Sequence, residues 1–431
     1  MNKLFFIVFI AFLIITAGPL FSEGSSETDD PNTLTGFHYL DQADRAAVDN
    51  FEALKARFAE LHPEITIEWE YLVNEPYHNK LQTLVTSDQL PDIVFLWPGK
   101  RTGNVTGNGN IKDLSPWLEG NRDNFSVAAM APQGQNGEIW ELPEQVTSTH
   151  VMFTNDRLLE ELGLSFPETM EELIEQGEVI REAGLIPIAM DNKDGWQMQS
   201  TFLSALVERT GGMEWYDRAA KGDAQFTDPE FIAALDVIKT LNDNDMFSPG
   251  INQAEYGTAL TDFVNERAVY LIDGGWRTTN LTTELDDDLK PHISYNTFPD
   301  IPNQKGRSGS TAIVTGTGFG MNANLEGQKA DNAWKWIWFY SGPEGSKIRK
   351  EFGSLPAYNL PADSNDPILL QKLGTFLSET PGGYVLDAVL DGEGMAVLHP
   401  QIQEMMFGNV TPEEAAATYE EWVAANDSSR K

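Results

Sequence analysis

Short apolar runs alternate along this chain with longer segments in which apolar residues recur every three or four positions. The runs LTGFHYL, ITIEWEYL and DIVFLW, at residues 34–40, 65–72 and 92–97, predict three strands. The segment after the first run predicts a helix whose apolar face consists of Ala46, Phe51, Leu54, Phe58 and Leu61. A second helix, around residues 78–87, precedes the third strand. This alternation predicts an α/β fold in which helices cover a sheet.

The alternation continues through the rest of the chain. Strand-like runs occur at residues 184–190, 268–273 and 312–321. Asn155 or Asp156 is the predicted cap of one helix, and the segment TDPE at residues 227–230 predicts a capping box at the start of another. A further helix carries Trp334 and Trp338, whose spacing indicates helix core.

Two loops after predicted strands carry tryptophan beside polar or charged residues. The strand AVYLID runs into two glycines followed by Trp276 and Arg277, and the strand at residues 184–190 leads to Asp194 and Trp196. An indole can cover the C–H face of a sugar, while a guanidinium or carboxylate bonds its hydroxyls. The alternative is structural: a buried tryptophan, an arginine paired with a carboxylate, and an aspartate that caps its own turn.

Similar residues follow the strands nearer the N-terminus. Tyr39, Gln42 and Trp97 lie at strand ends, where α/β sheets characteristically bind ligands. We therefore regard all three as candidate ligand contacts, with completion of the core as the alternative for the two rings.

The N-terminus has the pattern of a secretory signal peptide. Lys3 precedes the apolar run of residues 4–15, and small residues at 22–24 predict the end of a signal at residues 1–24, followed by a flexible leader at 25–32. The run is short for a bilayer span, which needs about 20 residues. Because the chain contains no cysteine, we expect no disulfide and no lipid anchor. The expectation is a periplasmic or secreted protein that is not a lipoprotein, with a retained N-terminal anchor as the alternative.

Charge and size narrow the function classes. The formal net charge is −37, which disfavours nucleic acid and anionic membranes as partners. The histidines lack metal-ligand spacing, and the sequence has no phosphate-binding loop, so we predict neither a metal nor a cofactor. The length of 431 residues favours two domains.

A secreted glycosidase is the competing enzyme class. Its paired carboxylates would be Asp391 with Glu393, or Glu141 with Glu144. Proximity in sequence alone does not place two carboxylates across one glycosidic bond.

The order and spacing of several segments resemble the carbohydrate-binding family of ABC-transporter extracellular solute-binding proteins, which includes maltose-binding protein. The segments are PDIVFLW, EIWELPEQVTSTHVMFTNDRLLEELGL, GLIPIAM followed by DGW, AVYLIDGGW, and the long run that begins GFGMNANLEGQKADNAWKWIW. The resemblance covers nearly the whole chain after the signal.

The resemblance implies a two-lobe periplasmic binding protein fold, with discontinuous lobes joined by a multi-segment hinge. Lobe 1 is expected at residues 33–146 and 312–352, and lobe 2 at residues 147–311 and 353–431. A sugar or oligosaccharide would bind between them and pass to ABC permease subunits, and the protein would be a monomer without enzymatic activity. The implied contacts are Tyr39, Gln42, Trp97 and Phe319 from lobe 1, Glu144 near the hinge, and Asp194, Trp196, Trp276 and Arg277 from lobe 2. A polyamine is the alternative cargo for the same fold.

Overall fold

Two mixed sheets form the two lobes of the chain; the buried apolar residues that the structure describes form one cluster at the first sheet and two at the second. The computed structural model describes residues 30–97, 102–106, 108–126, 130, 137–315, 317–390 and 392–426. The predicted signal peptide, most of the predicted leader and Asp391 lie outside these residues. Among the described residues, no helix has the length and apolar character needed to cross a membrane.

The strands of the described residues form three sheets. They are β1 (Thr33–Tyr39), β2 (Thr66–Leu72), β3 (Ile93–Leu96), β4 (Leu142–Pro143), β5 (Val146–Ser148), β6 (Val151–Asn155), β7 (Ile186–Ala189), β8 (Ala268–Asp273), β9 (Ile293–Asn296), β10 (Ile313–Thr315) and β11 (Gly318–Met321).

The helices cover both sheets. They are α1 (Arg45–Leu61), α2 (Asn74–Thr86), α3 (Gly103–Thr106), α4 (Asp156–Leu162), α5 (Met170–Glu182), α6 (Ser204–Ala220), α7 (Pro229–Asp243), α8 (Thr258–Val264), α9 (Thr278–Glu284), α10 (Gly327–Ser341), α11 (Pro343–Glu351), α12 (Ile368–Glu379), α13 (Gly392–Met406) and α14 (Pro412–Asn426).

The lobe 1 sheet has the strand order β2-β1-β3-β11-β4. Strands β2 and β3 both pair with β1 in parallel, whereas β11 pairs antiparallel with β3 and β4. The helix α1 buries Phe51, Leu54 and Phe58 against this sheet, as its periodicity predicts. Since β1 and β3 are parallel, their carboxyl ends bring Tyr39 and Trp97 to the same edge.

The lobe 2 sheet has the strand order β7-β8-β6-β9. Strand β7 pairs with β8 in parallel, and β6 pairs antiparallel with β8 and β9. All six residues of β8 are buried, which explains its continuous apolar sequence. The loops after β7 and β8 carry the two tryptophans of interest, Trp196 and Trp276.

Three chain segments pass between the lobes. The first contains β4, β5 and β6, and the second contains β10 and β11; β5 and β10 pair with each other as a separate antiparallel ribbon. The third lies beside them, where Val146 N–H donates to the Leu355 carbonyl at 2.9 Å. The lobe 1 core includes Ala357, which lies beyond the Phe352 boundary predicted from the sequence.

The start of α4 agrees with the sequence, whereas that of α7 differs from it. Asn155 caps α4 by accepting from Leu158 N–H at 3.1 Å, and Thr169 caps α5 by accepting from Glu172 N–H at 3.2 Å. The capping box predicted at α7 does not form. Asp228 instead accepts from Arg218 at 3.0 Å, and Glu230 accepts from Lys305.

Gly318 offers a test of the packing of the central strand β11. A Cβ at this position would meet the carbonyl oxygen of Leu142 on the neighbouring strand β4. Because that atom belongs to paired backbone, we expect Gly318→Ala to lower the free energy of unfolding by about 2–4 kcal/mol, measured by urea denaturation.

Gly374 provides the matched control. It lies within α12, and no atom lies within 4 Å of where its Cβ would be. Gly374→Ala should stabilise the protein by about 0.5–1 kcal/mol through helix propensity. Equal effects of the two substitutions would contradict the packing at β11.

Candidate functional site

Trp276 is placed by the tight turn that ends β8. The turn passes through Gly274 and Gly275 into a short 3-10 helix at Gly275–Arg277. A Cβ on Gly274 would collide with the ring of Trp276, so glycine permits the indole to fold back over its own backbone. The indole Nε1–H donates to the Tyr256 hydroxyl at 2.9 Å.

A buried ion pair lies beneath this ring. Arg277 Nε donates to Asp273 Oδ2 at 2.6 Å, and the two side chains are 3% and 0% exposed. The guanidinium also stacks on the Tyr256 ring, 3.8 Å from its centroid. Burial raises the pKa of Asp273, while the guanidinium opposes that rise. Arg277 therefore lies behind the aromatic surface and supports Tyr256, and is not exposed as the predicted hydroxyl donor.

Trp196, Tyr256 and Trp276 form a contiguous aromatic wall on lobe 2. The Trp196 ring centroid lies 5.0 Å from that of Tyr256 and 6.2 Å from that of Trp276, and all three rings are half-buried. The loops after β7 and β8 thus bring the two tryptophans together. The same loop region holds a small recess lined in part by Asp194, Trp196 and Tyr256.

Asp191 fixes the loop that carries Tyr256. Its carboxylate accepts from the backbone N–H groups of Gly257 and Ala259, both at 2.9 Å. Burial raises the pKa of Asp191 to about 6, while the two N–H groups favour the ionised form. Tyr256 was not predicted as a site residue, because it lies in a loop without strand or helix periodicity.

Lobe 1 presents a smaller pair of rings. Tyr39 and Trp97 meet edge to face, with centroids 4.9 Å apart, and His78 lies 5.0 Å from Trp97. Both predicted ring contacts are half-buried. Gln42 is exposed in the turn before α1, and no described hydrogen bond joins it to the other candidates.

Hydrogen bonds join the two lobes at the site. The Tyr39 hydroxyl donates to Asn74 Oδ1 at 2.7 Å, and Asn74 Nδ2 donates to Asp194 Oδ2 of lobe 2 at 2.8 Å. Burial raises the pKa of Asp194, and the carboxylates of Glu255 and Asp41 add to that rise. The ring wall of lobe 2 and the ring pair of lobe 1 therefore share one cleft, with its sides in contact.

A second bond between the lobes lies beside the first. Asn280 Nδ2 at the start of α9 donates to Asp44 Oδ1 at 3.0 Å, and the same oxygen caps α1 by accepting from Ala47 N–H. Two hydrogen bonds thus connect the lobes in this structure.

Phe319 is a core residue, which corrects its prediction as a ligand contact. It is 0% exposed and packs against His38, Phe95 and Tyr340, with ring centroids 5.0, 5.1 and 4.6 Å away. Its side chain points to the face of the lobe 1 sheet covered by α1 and α10. Because glycine alternates with other residues in β11, the sequence does not indicate on which face of the sheet the Phe319 side chain lies.

Glu144 serves the hinge, which corrects its prediction as a ligand contact. Its Oε2 accepts from the Tyr340 hydroxyl at 2.5 Å and pairs with Arg349 at 3.1 Å, while Oε1 accepts from Thr317 at 3.2 Å. Both carboxylate oxygens are thus used inside the protein. This arrangement also leaves Glu144 unsuited to the acid or base role of the glycosidase alternative.

No cluster of three or more side chains suited to a metal ion occurs in the part of the chain that the structure describes.

The sequence profile of one protein family, described as bacterial extracellular solute-binding protein, matches residues 43–347. That match spans well over half of the chain. The chain belongs to this family. Its members are binding proteins that act outside the cytoplasm, so this solute-binding protein is an exported protein.

Curated relatives include proteins named as extracellular-binding or sugar-binding proteins. An uncharacterised ABC transporter extracellular-binding protein of Pyrococcus horikoshii is 23% identical over 326 residues, covering 74% of this chain and 70% of the relative. The melibiose/raffinose/stachyose-binding protein MelE of Bacillus subtilis is 20% identical over 361 residues, covering 82% and 80%. The multiple sugar-binding protein of Streptococcus mutans is 24% identical over 256 residues, covering 55% of each chain.

Solved structures share the fold of this solute-binding protein. A chitin oligosaccharide binding protein superposes with a TM-score of 0.82 at 22% identity, covering 92% of this chain and 99% of the other. The binding protein RafE in complex with raffinose gives a TM-score of 0.75 at 17% identity, covering 93% and 100%. These likenesses confirm the predicted two-lobe α/β architecture.

The buried pair beneath the ring wall yields a test. Arg277→Met should leave Asp273 buried without its counter-charge and lower the free energy of unfolding by about 3–5 kcal/mol. Arg45→Ala, which breaks the exposed Arg45–Asp49 pair, is the control and should change stability by less than about 1 kcal/mol. Urea denaturation of both variants measures the difference.

The pH dependence of the same variant gives an independent check. Loss of the guanidinium should raise the pKa of Asp273 further above its unfolded value, so the folded state would bind a proton more tightly than the unfolded chain. The stability deficit of Arg277→Met relative to the parent should therefore shrink as the pH falls from about 7 to about 5. A deficit that grows with acidification would contradict the assignment.

Proposed function

We propose that this protein is the substrate-binding component of an ABC importer, and that it captures a sugar or oligosaccharide between its lobes. The observation that carries the proposal is the aromatic wall of Trp196, Tyr256 and Trp276, which shares a cleft with Tyr39 and Trp97.

The chemistry of the cleft suits a neutral, hydroxylated ligand. Half-buried rings can cover the C–H faces of pyranose units and exclude water, while amide and carboxylate groups at their edges bond hydroxyls. The guanidinium of Arg277 is neutralised by Asp273 and covered by Tyr256. An anionic ligand such as a phosphate ester would thus find little positive charge here.

The relatives point in the same direction. The proteins from Streptococcus mutans and Bacillus subtilis are described as binding multiple sugars and melibiose, raffinose and stachyose. Structural neighbours are described with chitin oligosaccharide, raffinose and maltose. These descriptions support carbohydrate as the class of ligand, with two or more sugar units favoured by the breadth of the three-ring wall.

The proposed mechanism is reversible capture. A ligand that touches both lobes binds the closed arrangement better than an open one and so shifts the population towards it. The closed protein, acting as an exported monomer after removal of the signal at residues 1–24, would then deliver the sugar to permease subunits in the membrane.

A polyamine is the second candidate ligand. The carboxylates of Glu255 and Asp41 help to raise the pKa of Asp194, which lines the same recess as the Trp196 ring, and such a group of acids and rings also suits an extended cation. A neutral sugar is our proposal because the three rings form a continuous face, and because Lys193 already neutralises Glu255, one of the three carboxylates.

A ligand screen tests the proposed function. The parent protein would be titrated with mono-, di- and oligosaccharides of several linkages and with spermidine, while melting temperature and tryptophan fluorescence are recorded. We expect a cognate sugar at 100 times its Kd to add about 2.7 kcal/mol of stability and to change the fluorescence. A response to spermidine alone would make a polyamine, and not a sugar, the ligand. No change in melting temperature or fluorescence with any of these compounds would contradict both proposals.

Replacement of Trp276 tests the ring wall directly. Trp276→Ala should weaken sugar binding by about 10- to 100-fold in calorimetric titration, because one stacking face and the excluded water at that face are lost. Trp334→Ala is the matched control, since Trp334 is also half-buried but packs on Trp117 and Trp338 in lobe 1. Unchanged affinity in the Trp276 variant would show that the indole is not a ligand contact.

A further inference from the structure

A second hollow, here called the distal pocket, lies in lobe 2 beyond the loop that carries Trp196. It has a volume of about 230 Å³ and is lined by residues 247–253 and 406–407, together with Asn242 and Asp245. The recess beside Trp196 measures only about 10 Å³. A single water needs roughly 10–15 Å³ of such space, so the recess holds about one water at most. The distal pocket, by contrast, has room for a group the size of a sugar ring.

The distal pocket lies at the same edge of the lobe 2 sheet as the aromatic wall. Residues 246–248 extend the sheet beside β7, where Ser248 N–H donates to the Ile188 carbonyl at 3.1 Å. They run parallel to β7, as β8 does on its other side. Chain segments that leave the carboxyl ends of parallel neighbours share one edge of a sheet. Along this edge the order is therefore Trp276, Trp196 and then the distal pocket.

Asn192 lies between the recess and the distal pocket. It lines the recess, and its Nδ2 donates at 2.7 Å to Oδ1 of Asn252, which lines the distal pocket. Its N–H also donates to the carbonyl of Ile251 at 3.0 Å. The two hollows thus lie on the two sides of one pair of amides. A ligand chain that extends along this edge of lobe 2 passes from the aromatic wall to the distal pocket.

The lining of the distal pocket suits a sugar unit. Phe407 is 54% exposed, the largest exposed fraction among the large apolar residues that the structure describes. The amides of Asn242, Asn252 and Gln253 supply donors and acceptors of hydrogen bonds. Among the described lining residues there is no Lys, Arg or His, and Asp245 is the one carboxylate. An apolar ring with neutral amides around it is the combination that binds a sugar unit by its C–H face and its hydroxyls.

We propose that the distal pocket is a subsite for a further sugar unit of an oligosaccharide whose nearer units stack on Trp196 and Trp276. The inference rests on the proposed function and narrows it, because the ligand is then longer than a disaccharide. Phe407 covers the C–H face of the distal unit, and Gln253 bonds its hydroxyls. Phe407 is thus a specificity-determining residue for the length of the sugar chain.

Pairs of sugars that differ in length test the subsite. Calorimetric titration of the parent protein would compare maltose with maltotetraose, cellobiose with cellotetraose, chitobiose with chitotetraose, xylobiose with xylotetraose, and melibiose with stachyose. In any pair that binds, we expect the tetrasaccharide to bind at least about tenfold more tightly, because its extra units reach the distal pocket. Equal affinities within such a pair would overturn the subsite.

Replacement of Phe407 separates the distal pocket from the rest of the cleft. Phe407→Ala should remove the gain from chain length, so that disaccharide and tetrasaccharide affinities agree within about twofold. Phe407→Tyr keeps the ring and should keep the gain. Leu61→Ala is the matched control, since Leu61 is an apolar residue of lobe 1 that is 41% exposed, and it should also keep the gain. A gain that survives Phe407→Ala would mean that the extra units bind elsewhere.

The methyl resonance of Met406 reports occupancy of the distal pocket without a substitution in the protein that is titrated. Met406 is the one methionine among the described residues that line the pocket. Its signal is identified by its loss from the spectrum of a Met406→Leu variant, in protein that is isotope-labelled at the methionine methyl groups. The signal should shift further with saturating tetrasaccharide than with saturating disaccharide. Equal shifts with the two sugars would contradict the subsite.

The subsite and the proposed function fail in different ways. If a disaccharide and its tetrasaccharide bind equally well, or if the gain survives Phe407→Ala, the subsite is wrong and the capture of sugar in the cleft stands. If no sugar of any pair binds, the proposed function fails and the subsite fails with it.

Discussion

The buried ion pair between Arg277 and Asp273 is the interaction on which the candidate site depends. It lies at the end of β8, where the chain leaves the apolar core of lobe 2, and it holds the guanidinium flat beneath Tyr256. Tyr256 in turn receives the indole N–H of Trp276. A charge pair that is costly to bury is thus retained where it fixes two rings at the surface of the cleft.

A buried charged side chain has a similar positioning role in the hinge. Glu144 lies in the first of the three segments that pass between the lobes and bonds the other two: its N–H donates to the Thr317 carbonyl at 3.0 Å, and its own carbonyl accepts from Ala357 N–H at 3.2 Å. Its carboxylate is held by Tyr340 and Arg349 from the end of lobe 1. Motion between the lobes must therefore occur around a point at which the crossing segments are tied together.

Much of the fold follows from the sequence because its signals are local. Strand β8 is a nearly continuous apolar run followed by two glycines. In α1, apolar residues spaced three or four positions apart mark the face that is buried. The proximity of Trp196 and Trp276 follows from the rule that loops after neighbouring strands share an edge of a sheet. The family likeness placed residues 312–352 in the same lobe as residues 33–146, but the pairing of β11 with β3 and β4 was not predicted, because no local pattern encodes it.

The residues that the sequence analysis assigned wrongly, and those that it did not predict, have a common physical explanation. The face of the sheet to which Phe319 points depends on pairing with strands far away in the chain, and Glu144 meets partners about 200 residues later. Tyr256 and Asn74 lie outside the periodic parts of the elements, and their roles depend on contacts with other loops. Local periodicity predicts which residues are buried, but it does not predict which polar groups meet.

The account's central claim is that a sugar binds between rings contributed by both lobes. The most direct measurement is a crystal structure of the protein with an oligosaccharide selected by binding. The account predicts pyranose density against Trp196, Tyr256 and Trp276 on one side, with Tyr39 and Trp97 on the other. Sugar bound elsewhere on either lobe, with these rings in contact only with protein or solvent, would contradict it.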